Sequence, residues 1–254
     1  MKADNFDLDA YLARIGFEGQ AKADLATVRQ MMRRQLMSVP FENLDVQAGK
    51  IVSLVPEDIA GKILGTERGG YCYEVNALFA MALEALGIDY QFLAARPMFY
   101  PARRPRTHMV VLVRIDGEQW VCDTGFGSFG IRAPMNLAVL DEPVRQDFDT
   151  FRLVAKPDGF YLVQALVADG FVNQYEFNLD RFELIDFEPA NYFNSTHPST
   201  IFVQKPVIIQ YTETGRNILA GANLKTHHEG RVEARDLEPA ELKGAVREMF
   251  NLAL

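Results

Sequence analysis

The sequence predicts an α+β protein, with helices in the first third, an antiparallel sheet or barrel in the middle and a mixed region at the end. Three observations carry this. Apolar residues recur at helical spacing as far as Gly87. Beyond Gly87 the period becomes two, and Asp-Gly pairs at 116, 158 and 169 mark hairpin turns. Beyond residue 180, helical and strand-like stretches alternate. Boundaries near residues 87 and 190 divide the chain into 1–87, 88–190 and 191–254.

Taken in order, Leu8, Tyr11, Leu12 and Ile15 form a first helical stripe behind Asp7, a good N-cap. A second stripe, Leu25, Val28, Met32 and Leu36, runs until Ser38-Val39-Pro40 stops it, and a third helix starts at Pro56 and ends before Gly65. The fourth carries Val75, Leu78, Phe79, Ala82, Leu83 and Leu86 and stops at Gly87. These make a small helical bundle. Past the hairpins come a helical stretch from Phe182 to Phe187, the segment Asn191 to Phe202, further strands and a last helix from Pro239 to Leu252.

Composition narrows the function. With 48% hydrophobic and 24% charged residues the chain is an ordinary globular one. A net charge of −8 opposes binding to nucleic acid or anionic membrane. Arg103, Arg104 and Arg106 are a local exception, read either as an anion-binding cluster or as a solvated loop. The two cysteines exclude a disulfide framework and suit a reducing compartment. The acidic N-terminus lacks a signal-peptide pattern and no apolar run reaches membrane-spanning length, so a cytoplasmic protein is expected.

Extending the fourth helical stripe back by three residues lands on Cys72, in the first turn and directly after Gly69-Gly70. A helix N-terminus favours a thiolate, and paired glycines let the backbone approach a ligand closely. A lone cysteine on an apolar face is otherwise a small, inert hydrophobe. The choice turns on a base. If Asp116 and Gly117 are the central turn residues, Ile115 faces Glu118, and His108 and Asp123 become diagonal neighbours on one face. Cys122 and Trp120 then point to the other face. Nucleophile, base and orienting acid would be Cys72, His108 and Asp123, if the helix start meets the hairpin.

The stretch Arg68-Gly69-Gly70-Tyr71-Cys72-Tyr73-Glu74 resembles the RGGxCxE signature of the arylamine N-acetyltransferases. VPFENLD from Val39, THMVVLV from Thr107, WVCDTGFG from Trp120 and NSTHPS from Asn194 agree in order and spacing. The resemblance implies a helical bundle, an antiparallel β-barrel and a C-terminal α/β lid. It implies that Cys72, His108 and Asp123 are the catalytic triad, that acetyl-CoA is the acyl donor, and that an arylamine or arylhydrazine is the acceptor. It further implies a Glu42–Arg68 ion pair, an acceptor pocket lined by Phe41, Phe126 and Phe202, and a cofactor loop containing Gly125, Gly127, Ser128 and Gly130. Thr124 stands where the family usually has Val, and the chain is short at its C-terminus.

The expected reaction is ping-pong acyl transfer through acetyl-Cys72, with backbone N–H groups at the helix start facing the oxyanion. The alternatives are an amide synthase of the same family that closes an amino-aryl chain, a transglutaminase-like thiol hydrolase and a silent binding module. His197 reads as structural, and His227-His228 reads as an exposed turn. No metal site is expected.

Overall fold

Asp7 and Asp24 open the first two helices for the same reason. Each carboxylate accepts a backbone N–H one turn in, from Ala10 at 2.7 Å and Thr27 at 2.8 Å, which satisfies a donor the helix leaves unpaired. In the computed structural model, which describes residues 1–252 except 128 and 169, these helices are α1 (Leu8–Arg14) and α2 (Leu25–Ser38). A short strand, β1 (Phe41–Glu42), and a single turn, α3 (Leu44–Gln47), lead to α4 (Pro56–Gly65) and α5 (Cys72–Ala85). The sequence stripe predicts one buried face for α5. Instead every residue from Cys72 to Leu83 is buried, because α1, α2, α4 and the central sheet all pack around it. It ends where Gly87 turns to φ +71°.

The middle of the chain forms one antiparallel sheet. Its strands are β2 (Asp89–Pro97), β3 (His108–Ile115), β4 (Glu118–Cys122), β5 (Met135–Asn136), β6 (Val144–Gln146), β7 (Asp149–Ala155), β8 (Tyr161–Val167) and β9 (Gly170–Phe177). They run in the order β5-β4-β3-β2-β9-β8-β7-β6. The sheet curls into a half-barrel. No strand ladder joins its two ends among the described residues; the side chain of Gln146 links them instead, accepting from the backbone N–H of Arg132 at 2.6 Å and donating to the carbonyl of Ala133 at 3.1 Å. Asp116 and Gly117 sit at φ +54° and +79°, and Ile115 faces Glu118 as the hairpin parity requires. Gly159 turns the second hairpin at φ +82°, and Asp169 of the third lies outside the described residues.

A 3₁₀ turn (Leu184–Phe187), α6 (Glu188–Thr196) and α7 (Ile201–Gln204) then cross toward the start of α5. The chain finishes with β10 (Val207–Thr212), β11 (Gly215–Ala220), β12 (Asn223–His228), β13 (Arg231–Asp236) and α8 (Leu242–Phe250). These strands form a second sheet, β1-β10-β11-β12-β13, whose Ile208, Leu219 and Leu224 pack on Val246 and Phe250. A two-residue strand has no readable period, so β1 is invisible in the sequence, yet it joins the first third to the last. His227 and His228 correct the sequence reading: they end strand β12, paired with Arg216 and Gly215, and the turn follows at Glu229-Gly230. Half-buried His227 is held near a pKa of about 4, because burial and then the Arg216 charge oppose its protonation. Among the described residues no helix is long and apolar enough to cross a membrane.

Candidate active site

The RGGxCxE segment is shaped by crowding and buried charge. A Cβ on Gly69 would lie 1.8 Å from the Pro40 carbonyl oxygen, and one on Gly70 would lie 2.6 Å from the Glu74 carboxylate. The sequence reading assigns the glycine pair to close approach of a ligand. What approaches is the protein itself, since Gly70 also bridges to Phe41 of β1. Glu74 accepts the Tyr71 backbone N–H at 2.9 Å and the Lys62 ammonium at 2.7 Å. Burial pushes its carboxyl up to about 7 against the pull of Lys62. Glu42 accepts from Arg68 Nε at 2.8 Å, and Lys62 and Asp45 complete the cluster. The segment is thereby clamped at the entrance to α5, and Cys72, only 3% exposed, is the first residue of that helix.

Across from it, His108 begins β3 and Asp123 follows the end of β4. The diagonal relation read from hairpin parity places His108 Nε2 2.7 Å from Asp123 Oδ2. With Nε2 engaged, Nδ1 remains for the thiol side. The imidazole packs against the touching rings of Phe126 and Tyr175, 5.1 and 5.2 Å away. Burial alone would disfavour its charged form, but the Asp123 carboxylate, followed by the hydrogen bond to Cys72, pushes its pKa up to about 10. The thiol and base are therefore neighbours, and the base holds its proton at neutral pH. Cys122 differs. It lies on the opposite face, fully buried, and desolvation raises its pKa well above the usual thiol range.

Sequence reasoning missed Asn76, one turn beyond Cys72. Its Nδ2 donates to the Met109 carbonyl at 2.8 Å and to Asp123 Oδ1 at 3.2 Å. Its Oδ1 accepts from the Thr124 backbone N–H at 2.8 Å and the Thr124 hydroxyl at 2.9 Å. Gln35 of α2 donates to the same hydroxyl at 3.1 Å and to the Val75 carbonyl at 2.8 Å. Asn76, Thr124 and Gln35 thus tie the nucleophile helix to the segment after β4 that bears Asp123. All are buried. The i+4 spacing from Cys72 was the available signal, but an Asn between Val75 and Ala77 has no chemistry until its partners are placed.

The loop after Asp123 packs against the helix start. Gly125 donates to Asp123 Oδ1 at 2.9 Å, and a Cβ on it would lie 2.6 Å from Cys72 Cα. A Cβ on Gly127, at φ +82°, would meet Ile209, and one on Gly130 would meet the Tyr211 hydroxyl. Close neighbours at all three positions, and the positive φ at Gly127, leave no room for a side chain. Ser128 lies outside the described residues.

A cleft of about 70 Å³ opens onto Cys72 and His108. Phe41, Phe126 and Phe202, singled out in the sequence, all line it, together with Arg104 of the arginine cluster and with Phe99 and Tyr100, which were not assigned there. The arginine cluster is dispersed. Arg104 lies over Tyr100 and donates to the Ser199 carbonyl at 3.2 Å, Arg103 approaches Glu176 at 3.7 Å, and Arg106 donates to Asn178 at 3.0 Å. The NSTHPS segment braces the floor: Asn194 donates to the Thr107 carbonyl at 3.0 Å, and Tyr71 bonds to Asn191 and Ser195. His197 stacks on Phe193 and bonds Ser199, a structural place. Among the described residues no group of three or more His, Cys, Asp or Glu is placed to hold a metal ion.

Comparison with known proteins gives one consistent result. A family model described as N-acetyltransferase matches residues 24–254. The chain is 32% identical to the arylamine N-acetyltransferase of Mycolicibacterium smegmatis, covering 98% of this chain and 92% of that one. It is 30% identical to arylamine N-acetyltransferase 1 of Homo sapiens, covering 98% and 94%. Among solved structures it superposes on the arylamine N-acetyltransferase of Mycobacterium abscessus with a TM-score of 0.92 at 33% identity, over 99% of this chain and 91% of that one. It also superposes on the Mycobacterium marinum enzyme in complex with CoA, with a TM-score of 0.90 at 31% identity, over 96% and 92%.

Proposed function

Because the chain belongs to the arylamine N-acetyltransferase family, we propose that it moves the acetyl group of acetyl-CoA to an arylamine or arylhydrazine through an acetyl-Cys72 intermediate. The observation that carries this reading is the 2.7 Å His108–Asp123 bond beside a thiol at a helix start. The Cys72 thiolate, paired with the His108 imidazolium, attacks the thioester carbon. Backbone N–H groups at the start of α5 face the developing oxyanion. The tetrahedral species expels the CoA thiolate, which takes the His108 proton. The amine nitrogen then attacks acetyl-Cys72, neutral His108 accepts its proton, and the Cys72 thiolate leaves, which restores the starting ion pair. Asp123 keeps Nδ1 turned to the reacting atoms.

The Gly125–Gly130 loop, adjoining Cys72 through Gly125, is the proposed wall along which CoA approaches. Phe41, Phe126 and Phe202 are the proposed acceptor contacts. The aromatic lining of the cleft suits the ring of a compact aromatic amine.

Mixing the protein with acetyl-CoA in the absence of acceptor tests the mechanism. One equivalent of CoA should be released rapidly, and the Cys72 peptide should carry an acetyl group that an aniline discharges. CoA release that begins only on adding amine, with no acetyl-protein, would replace this mechanism by direct transfer. Turnover confined to a long amino-aryl substrate would favour the amide synthase.

A further inference from the structure

A second pocket, of about 440 Å³, lies on the face of the β3–β4 hairpin opposite to His108 and Asp123. Trp120 lines it, along with Met135, Val139 and Val144. Trp120 and Asp123 are three residues apart on one extended segment, so their side chains leave opposite faces and the pocket shares no wall with the Cys72 cleft. Its volume falls within the range of roughly 300 to 1,000 Å³ typical of small-molecule sites.

The lining of the pocket points to a ligand. The Trp120 ring forms part of its wall, while its indole N–H is buried and unpaired among the described residues. The charge is also one-sided: Arg29, Arg33, Arg132 and Arg145 line the pocket against a single carboxylate, Asp147, in a chain of net charge −8. Asp147 pairs with Arg33 and lies 3.6 Å from Arg132, and Arg132 also bonds Asp149 at 3.1 Å. Exposed Arg29 and Arg145 have no carboxylate partner among the described residues; Arg145 donates only to the Asp147 carbonyl, at 3.0 Å. Two guanidinium groups without a carboxylate partner among the described residues thus line the same pocket as an aromatic and aliphatic wall.

We propose that this pocket is a second binding site, for a flat aromatic molecule bearing one anionic group such as a carboxylate. The ring lies against Trp120 and the Val139–Val144 wall, and the anion is held by Arg29 and Arg145, whose planar donors match a carboxylate. The site is separate from the acetyl-transfer chemistry.

Trp120 is the sole tryptophan, so its indole N–H gives one resolvable ¹⁵N–¹H resonance. The full-length protein is titrated with naphthalene-2-carboxylate, its uncharged carboxamide and inorganic phosphate. The carboxylate should shift the Trp120 resonance saturably, and the carboxamide should bind about tenfold more weakly, as expected for loss of a charge-assisted hydrogen bond. Arg29→Gln and Arg145→Gln should each weaken the carboxylate by a similar factor and keep the parent melting curve, because neither side chain has a carboxylate partner to lose. Absence of a saturable shift overturns the proposal, as does equal affinity for carboxylate and carboxamide, or a carboxylate affinity unchanged in both variants. Phosphate binding as tightly as the aromatic carboxylate would reduce the site to an unspecific anion patch and would also overturn it.

Discussion

The imidazole of His108 and the carboxylate of Asp123 meet at 2.7 Å across the end of a hairpin whose turn residues, Asp116 and Gly117, both have positive φ. Each further acceptor of Asp123 is also occupied: Oδ1 takes the Gly125 N–H at 2.9 Å and Asn76 Nδ2 at 3.2 Å. Asp123→Asn keeps the shape but presents an amide that can favour the wrong imidazole tautomer. The fold should survive with a lowered melting temperature, because the buried imidazole loses its carboxylate partner, while CoA release from acetyl-CoA, measured where the variant remains folded, falls by about 10² to 10⁴, the usual scale for losing a positioned base. A folded variant that acetylates at the parent rate would remove Asp123 from the catalytic set.

The Asn76 network separates positioning from stability. Thr124→Val removes one hydroxyl but leaves Asn76 bonded to Asp123 and Met109, so it should lower stability by about 1 kcal/mol and change the acetylation rate little. Asn76→Leu strips several bonds at once and leaves Asp123 Oδ1 with the Gly125 N–H alone. It should lower the rate much more than Thr124→Val, even at a temperature where both variants remain folded. Equal rate losses in the two would show that the network only stabilises the fold.

Labelling distinguishes the two thiols. Iodoacetamide should modify Cys72, at a helix start beside His108, far faster than Cys122, whose thiol is fully buried and held in its neutral form by desolvation. Peptide mass spectrometry at partial labelling gives the ratio. Comparable labelling of both would contradict the opposite-face placement of Cys122.

Stability should carry the signature of His108. Its pKa is raised from the ordinary 6.5 to about 10 in the folded protein, so the unfolded chain releases this proton first as pH rises. The stabilisation is complete below pH 6.5 and is lost progressively toward pH 10, with a slope of at most about 1.4 kcal/mol per pH unit. Unfolding curves at pH 6, 8 and 10 for the parent and His108→Gln should show their difference shrinking with pH. A difference that grows would mean that the folded protein holds a neutral imidazole.

Of the three clustered arginines only Arg104 lines the Cys72 cleft. Arg104→Gln should raise the KM for acetyl-CoA and weaken its salt dependence, whereas Arg103→Gln and Arg106→Gln should leave both close to the parent. Equal effects from all three would restore the reading of a single phosphate-binding cluster.

Much was legible in the sequence because it rests on local rules. Helical period and capping residues located α1, α2, α4 and α5, and a two-residue turn has only one parity, so His108 and Asp123 had to share a face that Cys122 does not. The placement of Cys72 in the first turn of α5 followed from the same stripe. What the tertiary structure alone decided are contacts between segments far apart in the chain. The two residues of β1 pair with β10 across more than 150 positions, too short a strand to leave a pattern. Asn76, Gln35 and Thr124 look like unrelated polar residues until α5, α2 and β4 pack and bury them together. The arginines at 103, 104 and 106 are neighbours in sequence, yet each finds a different partner. Periodicity and parity are properties of consecutive residues, whereas burial and pairing depend on which surfaces meet.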